Sequence, residues 1–222
     1  MPPSPAHSAR VKAEIFAHAG RLFRLRGYVG TTVDDIMLAA GLTRGSFYAH
    51  FKSKDDLFAL VVASGQGLLW KLRSKEAQPS AVLDAYLARE DLAANALDCS
   101  LAMLPGDVAR APLPAQLAYA NVLQATIEEM AKGRKRKLDA DVTAAAILAI
   151  GALGLARASG DRRLSDWLLR CARLAARALL RPKPAKKQRR QASPKPKRSR
   201  SRRKAAGARP SRRAAPSRAG RA

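Results

Sequence analysis

The sequence predicts an all-α protein: a three-helix N-terminal domain of the helix-turn-helix type, followed by a larger helical bundle. Three observations lead there. Apolar residues recur at three- and four-residue spacing, and strand-like alternation is absent throughout. Capping residues and Gly or Pro breaks divide the chain into segments of helical length. The third is the placement of charge, since 42 Lys and Arg face 17 Asp and Glu for a formal net charge of +25. Of the basic residues, 18 lie in 181–222 together with no acid, leaving 24 basic against 17 acidic residues in 1–180. The expected division is therefore a disordered lead over 1–9, a helix-turn-helix domain over 10–56, a helical bundle over 57–180 and a disordered basic tail over 181–222.

After a Pro-rich lead, Val11, Ile15, Ala19, Leu22 and Phe23 share one helical face opposite Arg10, Lys12, Arg21 and Arg24. Gly27 ends this helix as a left-handed C-cap. Thr31-Thr32-Val33-Asp34-Asp35 is a doubled capping box in which either threonine can cap, and the second helix then runs through Ile36 to Ala40. Gly41-Leu42 turns the chain, Thr43 caps again, and Arg44 to Phe51 makes a short helix with Phe47 and Phe51 inward. Ile36, Ala39, Phe47 and Phe51 are expected core.

Ser53-Lys54-Asp55-Asp56 opens a long helix with Leu57, Leu60, Val61, Ser64, Leu68 and Leu72 on one face. Pro79, the stretch Leu97 to Pro105, Pro112 to Pro114, Gly133 and Gly160 divide the remainder into helices near 80–95, 114–131, 139–158 and 164–180. The uncharged run Val142 to Ala156 spans only about 22 Å as a helix, short of a ~30 Å hydrocarbon core, and reads as a packed helix. Beyond Leu180 there is no large apolar residue and a single charge sign, which suits disorder.

The segment TTVDDIMLAAGLTRGSFYAHFKSKDDLF closely resembles the signature of the TetR family of bacterial transcriptional repressors, over about 50 residues without gaps. DCSLAMLPGDVARA and LAIGALGLARASGD resemble pieces of the family's regulatory domains. The resemblance implies that Thr43 to His50 is the recognition helix and that residues 60–180 bind a ligand and dimerise. A two-turn helix fits a ~12 Å major groove end-on, with its N-terminal turn at the base edges. That turn holds Thr43, Arg44 and Ser46, and Arg44 can donate two hydrogen bonds to a guanine. Gly45 lets the backbone approach the groove wall. Tyr48, His50 and Lys54 are candidates for phosphate contact, at positions the family uses for the DNA backbone, and Thr32 with the amides that open the second helix forms another phosphate site.

Helices 139–158 and 164–180 are apolar on more than one face and rich in small residues, among them Ala145, Ala149, Gly151, Ala152 and Gly154 on the first and Leu168, Cys171, Ala172, Ala175 and Leu179 on the second. This suits a four-helix homodimer seam and a palindromic operator on double-stranded DNA. Trp70, Tyr86, Cys99, Leu101, Met103, Tyr119 and Trp167 are candidates to line a pocket for a small hydrophobic inducer, with plain core packing as the competing reading of each. Cys99 also begins a short segment where a thiol can sense electrophiles. Cys99 and Cys171 are otherwise expected as buried free thiols, since no zinc-ligand spacing surrounds them.

Several function classes are disfavoured. No paired carboxylates, metal-ligand cluster, activated nucleophile or glycine-rich phosphate loop is placed for an enzyme, and no metal or cofactor is implied. MPPSPAHSAR lacks the apolar stretch of a secretory signal, so a cytoplasmic, nucleoid-associated protein with no membrane partner is expected. A ligand-released repressor with a polycationic tail is the leading expectation. Its competitor is an architectural DNA-binding protein dominated by that tail.

Overall fold

In a computed structural model of the chain, residues 4–74, 78–88, 99–134 and 138–181 are described. They form helices only: α1 (Pro5–Arg26), α2 (Val33–Ala39), α3 (Arg44–Tyr48), α4 (Lys54–Ala63), α5 (Leu68–Ser74), α6 (Pro79–Tyr86), α7 (Ser100–Met103), α8 (Pro105–Arg110), α9 (Leu113–Met130), α10 (Ala140–Ala158) and α11 (Arg162–Leu180). Within the expected lead the structure differs from expectation. Ser4 accepts a hydrogen bond from the His7 amide and Pro5 stands at the first helical position, so α1 begins well before residue 10. Cap chemistry outweighs the proline content that suggested an irregular lead.

The apolar face of α1 closes over α2, α3 and α4. Val11, Ile15, Ala19 and Phe23 bury with Ile36, Met37, Phe47, Phe51, Leu57, Phe58, Val61 and Val62. Phe23 meets Phe58 edge-on at 5.1 Å between ring centroids. Ala39, expected in this core, is exposed, and Met37 takes the inward place. Leu60 is likewise outward, at 42% exposure.

The long helix expected from Ser53 to Leu72 is two helices. Gly65 and Gly67 take φ of 62° and 100°, and the chain breaks between α4 and α5. Gly67 has a packing reason as well, because a Cβ there would lie 2.5 Å from Cys99 Cα. Apolar periodicity runs through the break although α4 buries its residues in one cluster and α5 in another, because both pack against α9. The stretch Leu97 to Pro105, expected as a connection, contains α7 and leads into α8. Of the helix expected over 80–95, α6 accounts for the start, and 89–98 lies outside the described residues.

A second buried cluster joins α5, α6, α7, α9, α10 and α11. Of the small residues named for a dimer seam, some are buried within the chain and others, Gly151, Cys171 and Ala175, are exposed. Ala145, Ala149, Ala152 and Ala172 are buried within the chain, where they let α10 and α11 pack closely. The outward row on α11 is instead Leu164, Trp167, Cys171 and Leu174. Cys171 is thus exposed, contrary to expectation, and Cys99 is buried. Helix α10 runs 19 residues, longer than the apolar run suggested, and is long and apolar enough by length and composition to cross a membrane. Its buried face is committed to the cluster just described.

α8 and the start of α9 belong to the first cluster through Leu104, Val108, Ala111 and Ala115, whereas the end of α9 belongs to the second. The two parts of the fold therefore share a helical seam. The tail from residue 182 lies outside the described residues.

Candidate DNA-recognition surface and adjoining cavity

The short α3 is held by one side. Phe47 is fully buried and packs against Phe51 at 5.6 Å, so the opposite side faces outward. Thr43 occupies the N-cap position but makes no side-chain cap bond; its hydroxyl pairs with Ser46 at 3.3 Å. Arg44 Nη1 donates to Asp34 Oδ2 at 2.7 Å with both side chains about 60% exposed. The Tyr48 side chain, and after it Asp34, raise the pKa of Arg44 above its ordinary value. Thr43, Arg44 and Ser46 are thereby grouped on one exposed turn, and Arg44 is steered by a carboxylate from α2. Around Gly45 a Cβ would meet nothing within 4 Å, so no packing among the described residues requires glycine there.

Thr32 rather than Thr31 caps α2. Its hydroxyl accepts from the Asp35 amide and Asp35 accepts from the Thr32 amide, the reciprocal capping box. Hydrogen bonding to Thr32, ahead of the charge of Arg26, holds the Asp35 carboxyl below its usual pKa. Thr31 is buried and donates to the Gly27 carbonyl at 2.8 Å. Tyr48 is exposed on α3 and His50 is half-buried just beyond it.

Lys54 is placed differently from its expected role. Its ammonium donates to the Tyr28 and Thr31 carbonyls, each at 3.0 Å, and stands 4.1 Å from the centroid of the Tyr28 ring. Partial burial lowers its pKa. The side chain ties the turn after α1 to the start of α4.

The described residues also form a cavity of about 650 Å³, lined in part by Leu101, Met103, Asp107, Tyr119, Ile150 and Arg157. Three of the seven expected pocket residues, Leu101, Met103 and Tyr119, line it. Trp70 and Trp167 are 61% exposed and do not. Tyr86 and Cys99 are fully buried beside it, the phenol donating to Cys99 Sγ at 2.9 Å. Burial is the main cause that pushes the Tyr86 pKa well up. Tyr119 donates to the Leu101 carbonyl at 2.8 Å, fixing α9 to α7.

Asp107 belongs to both regions. It lines the cavity, and its Oδ1 accepts from the Tyr28 amide at 3.0 Å. A Cβ at Gly27 would sit 3.2 Å from the same oxygen.

Residues 15–61 match the family model described as bacterial regulatory proteins, tetR family. Over these residues the chain is similar to the amino-terminal domain of the tetR family. Among curated relatives, the HTH-type transcriptional repressor KstR2 of Mycolicibacterium smegmatis is 41% identical over 56 residues, 25% of this chain and 27% of that protein. The HTH-type transcriptional repressor Rv1474c of Mycobacterium tuberculosis is 34% identical over 86 residues, 34% of this chain and 46% of its own length. The chain thus spans about a quarter of the first relative and under half of the second. Two solved structures share the fold more widely. The reduced form of NemR from E. coli aligns with TM-score 0.61 at 18% identity, over 76% of this chain and 96% of that one. A TetR-family regulator from Agrobacterium tumefaciens gives 0.57 at 22% identity, over 75% and 97%.

Within this tetR-like stretch, sequence reasoning located α3 and its outward turn but missed Asp34 as the partner of Arg44. The two carboxylates at 34 and 35 both read as cap residues, and only the tertiary turn between α2 and α3 separates their roles. It also missed Asp107, whose contact with Tyr28 spans 79 residues and left no local signal.

Proposed function

We propose that this protein is a sequence-specific DNA-binding transcriptional regulator of the tetR family, acting as a homodimeric repressor that a small molecule releases from its operator. One observation carries the reading: α8 lines the cavity and at the same time accepts the Tyr28 amide through Asp107, so occupancy of the cavity has a direct route to the recognition domain. A ligand can change operator affinity only by as much as it prefers one arrangement of that route over another.

Thr43, Arg44 and Ser46 read bases, and Thr32, Tyr48 and His50 contact phosphates. Lys54, with two of its N–H groups engaged, acts mainly within the domain. Substituting Arg44 with Ala should lower affinity for a selected operator far more than for random duplex; equal loss on both overturns the assignment. The outward row of α11 is the dimer face. Sedimentation at micromolar concentration should give a dimer, and monomer alone would reject it.

The charge of 181–222 favours one further reading, an architectural protein of the nucleoid governed by its basic tail. In our reading the tail adds non-specific affinity, with a log–log salt slope of about −0.9 per phosphate engaged. Deleting 181–222 should therefore flatten the salt dependence and leave a discrete footprint. Loss of all binding on deletion would favour the architectural reading, which like the leading one acts inside the cell.

A further inference from the structure

We infer that the cavity takes an amphipathic organic anion, with its apolar body along α10 and its acidic head between Arg110 and Arg157. This rests on the reading of the cavity as a ligand site and names the chemistry of what enters. The lining is polarised. Along α10 it passes from Ile147 through Ile150, Gly151 and Gly154 to Arg157, ten residues and therefore about 15 Å of rise. Leu123 of α9 and Leu101 and Met103 of α7 add apolar side chains to the lining. The charged residues of the lining are Arg157, at the far end of this α10 face, and Arg110 and Asp107 of α8.

The charges of the lining are unequal. Neither Arg110 nor Arg157 has a carboxylate partner among the described residues. Asp107 is already engaged by the Tyr28 amide and turned toward Gly27. Two guanidinium groups without acids thus face one occupied carboxylate, which favours a carboxylate, sulfonate or phosphate head and disfavours an ammonium. Such a head gains charge-assisted hydrogen bonds from the two guanidinium groups that a neutral ligand cannot make. A volume of about 650 Å³ suits a small-molecule site. The position also has a consequence for regulation. Arg110 lies one turn beyond Asp107 on α8, so a head bound at Arg110 acts on the segment that holds Tyr28.

Three ten-carbon probes that differ only in the head test this by calorimetry on the full chain: decanoate, decanol and decylamine. Decanoate should bind at least tenfold tighter than decanol, and decylamine weaker than either. The double variant Arg110→Gln, Arg157→Gln should bring decanoate to within about threefold of decanol while decanol binding persists, both arginines being exposed and their replacement harmless to packing. Decanol or decylamine binding as tightly as decanoate overturns the anionic class and leaves the cavity standing as a ligand site. A decanoate preference that survives the double substitution places the anion on other basic residues and also overturns it. Failure of all three probes to bind removes the ligand site itself.

Discussion

Replacing Gly45 with Ala should stabilise the protein and weaken its operator binding at once. In α3 the glycine has an ordinary helical backbone, and an added Cβ would meet nothing within 4 Å. Ala in place of such a Gly reduces the entropy of the unfolded chain and suits the helix better, a gain of about 0.4–1 kcal/mol. For a chain of this size that is roughly 1–4 °C in Tm. The same methyl group projects on the turn that carries Arg44 and Ser46, where we place the groove wall. If DNA approaches that backbone closely, the selected operator should lose at least tenfold in affinity, about 1.4 kcal/mol, whereas random duplex, held through phosphates, should change little. The assay pairs thermal denaturation with titration of labelled operator and scrambled duplex at one salt concentration. A higher Tm with unchanged operator affinity would refute close approach at Gly45. A lower Tm would refute the open space itself. Gly67→Ala is the opposite case, with φ of 100° and a Cβ 2.5 Å from Cys99 Cα, and should lose about 2–4 kcal/mol from backbone strain and overpacking together.

Removing the Asp34 carboxylate (Asp34→Ala) should reduce the operator-to-random affinity ratio, because Arg44 loses its steering partner, while raising affinity for random DNA, because an anion near phosphate is gone. Both are read in the same binding titrations, and a fall on both duplexes would argue against steering. Lys54→Met leaves the Tyr28 and Thr31 carbonyls without their donor and should lower stability by about 1–3 kcal/mol in urea denaturation, with the salt slope of DNA binding unchanged. A slope reduced by about 0.9 would instead mark a phosphate contact. Hydrogen bonding to Thr32 holds the folded pKa of Asp35 below its ordinary value, so its contribution is present above the unfolded value and is lost as pH falls through the folded one. Asp35→Asn should accordingly flatten the acid side of stability below about pH 4, measured as urea midpoint against pH; an unchanged acid limb would remove the capping box as its source.

The reach of the sequence followed the reach of each interaction. Cap and turn chemistry acts over three or four residues, and so Thr32 with Asp35, Ser53 with Asp56 and the C-cap at Gly27 are all legible in the letters. Phe47 and Phe51 were legible because helical period alone puts them on one face. Leu60 and Ala39 were not, since which side of a short helix is covered depends on neighbours far along the chain. The same limit explains Trp70 and Trp167, whose apolar character suggested a pocket and whose helices turn them outward.

By itself the sequence determined the helical class, the capped turns, the outward position of Thr43, Arg44 and Ser46 and the concentration of positive charge in the tail, all properties of composition or of contacts within about one helical turn. Tertiary structure alone decided that Arg44 is paired with Asp34, that Lys54 is turned into the domain, that the alanines of α10 pack against α11, and that Asp107 joins the cavity to Tyr28. Each of those depends on the packing of separate helices against one another, which no local pattern encodes.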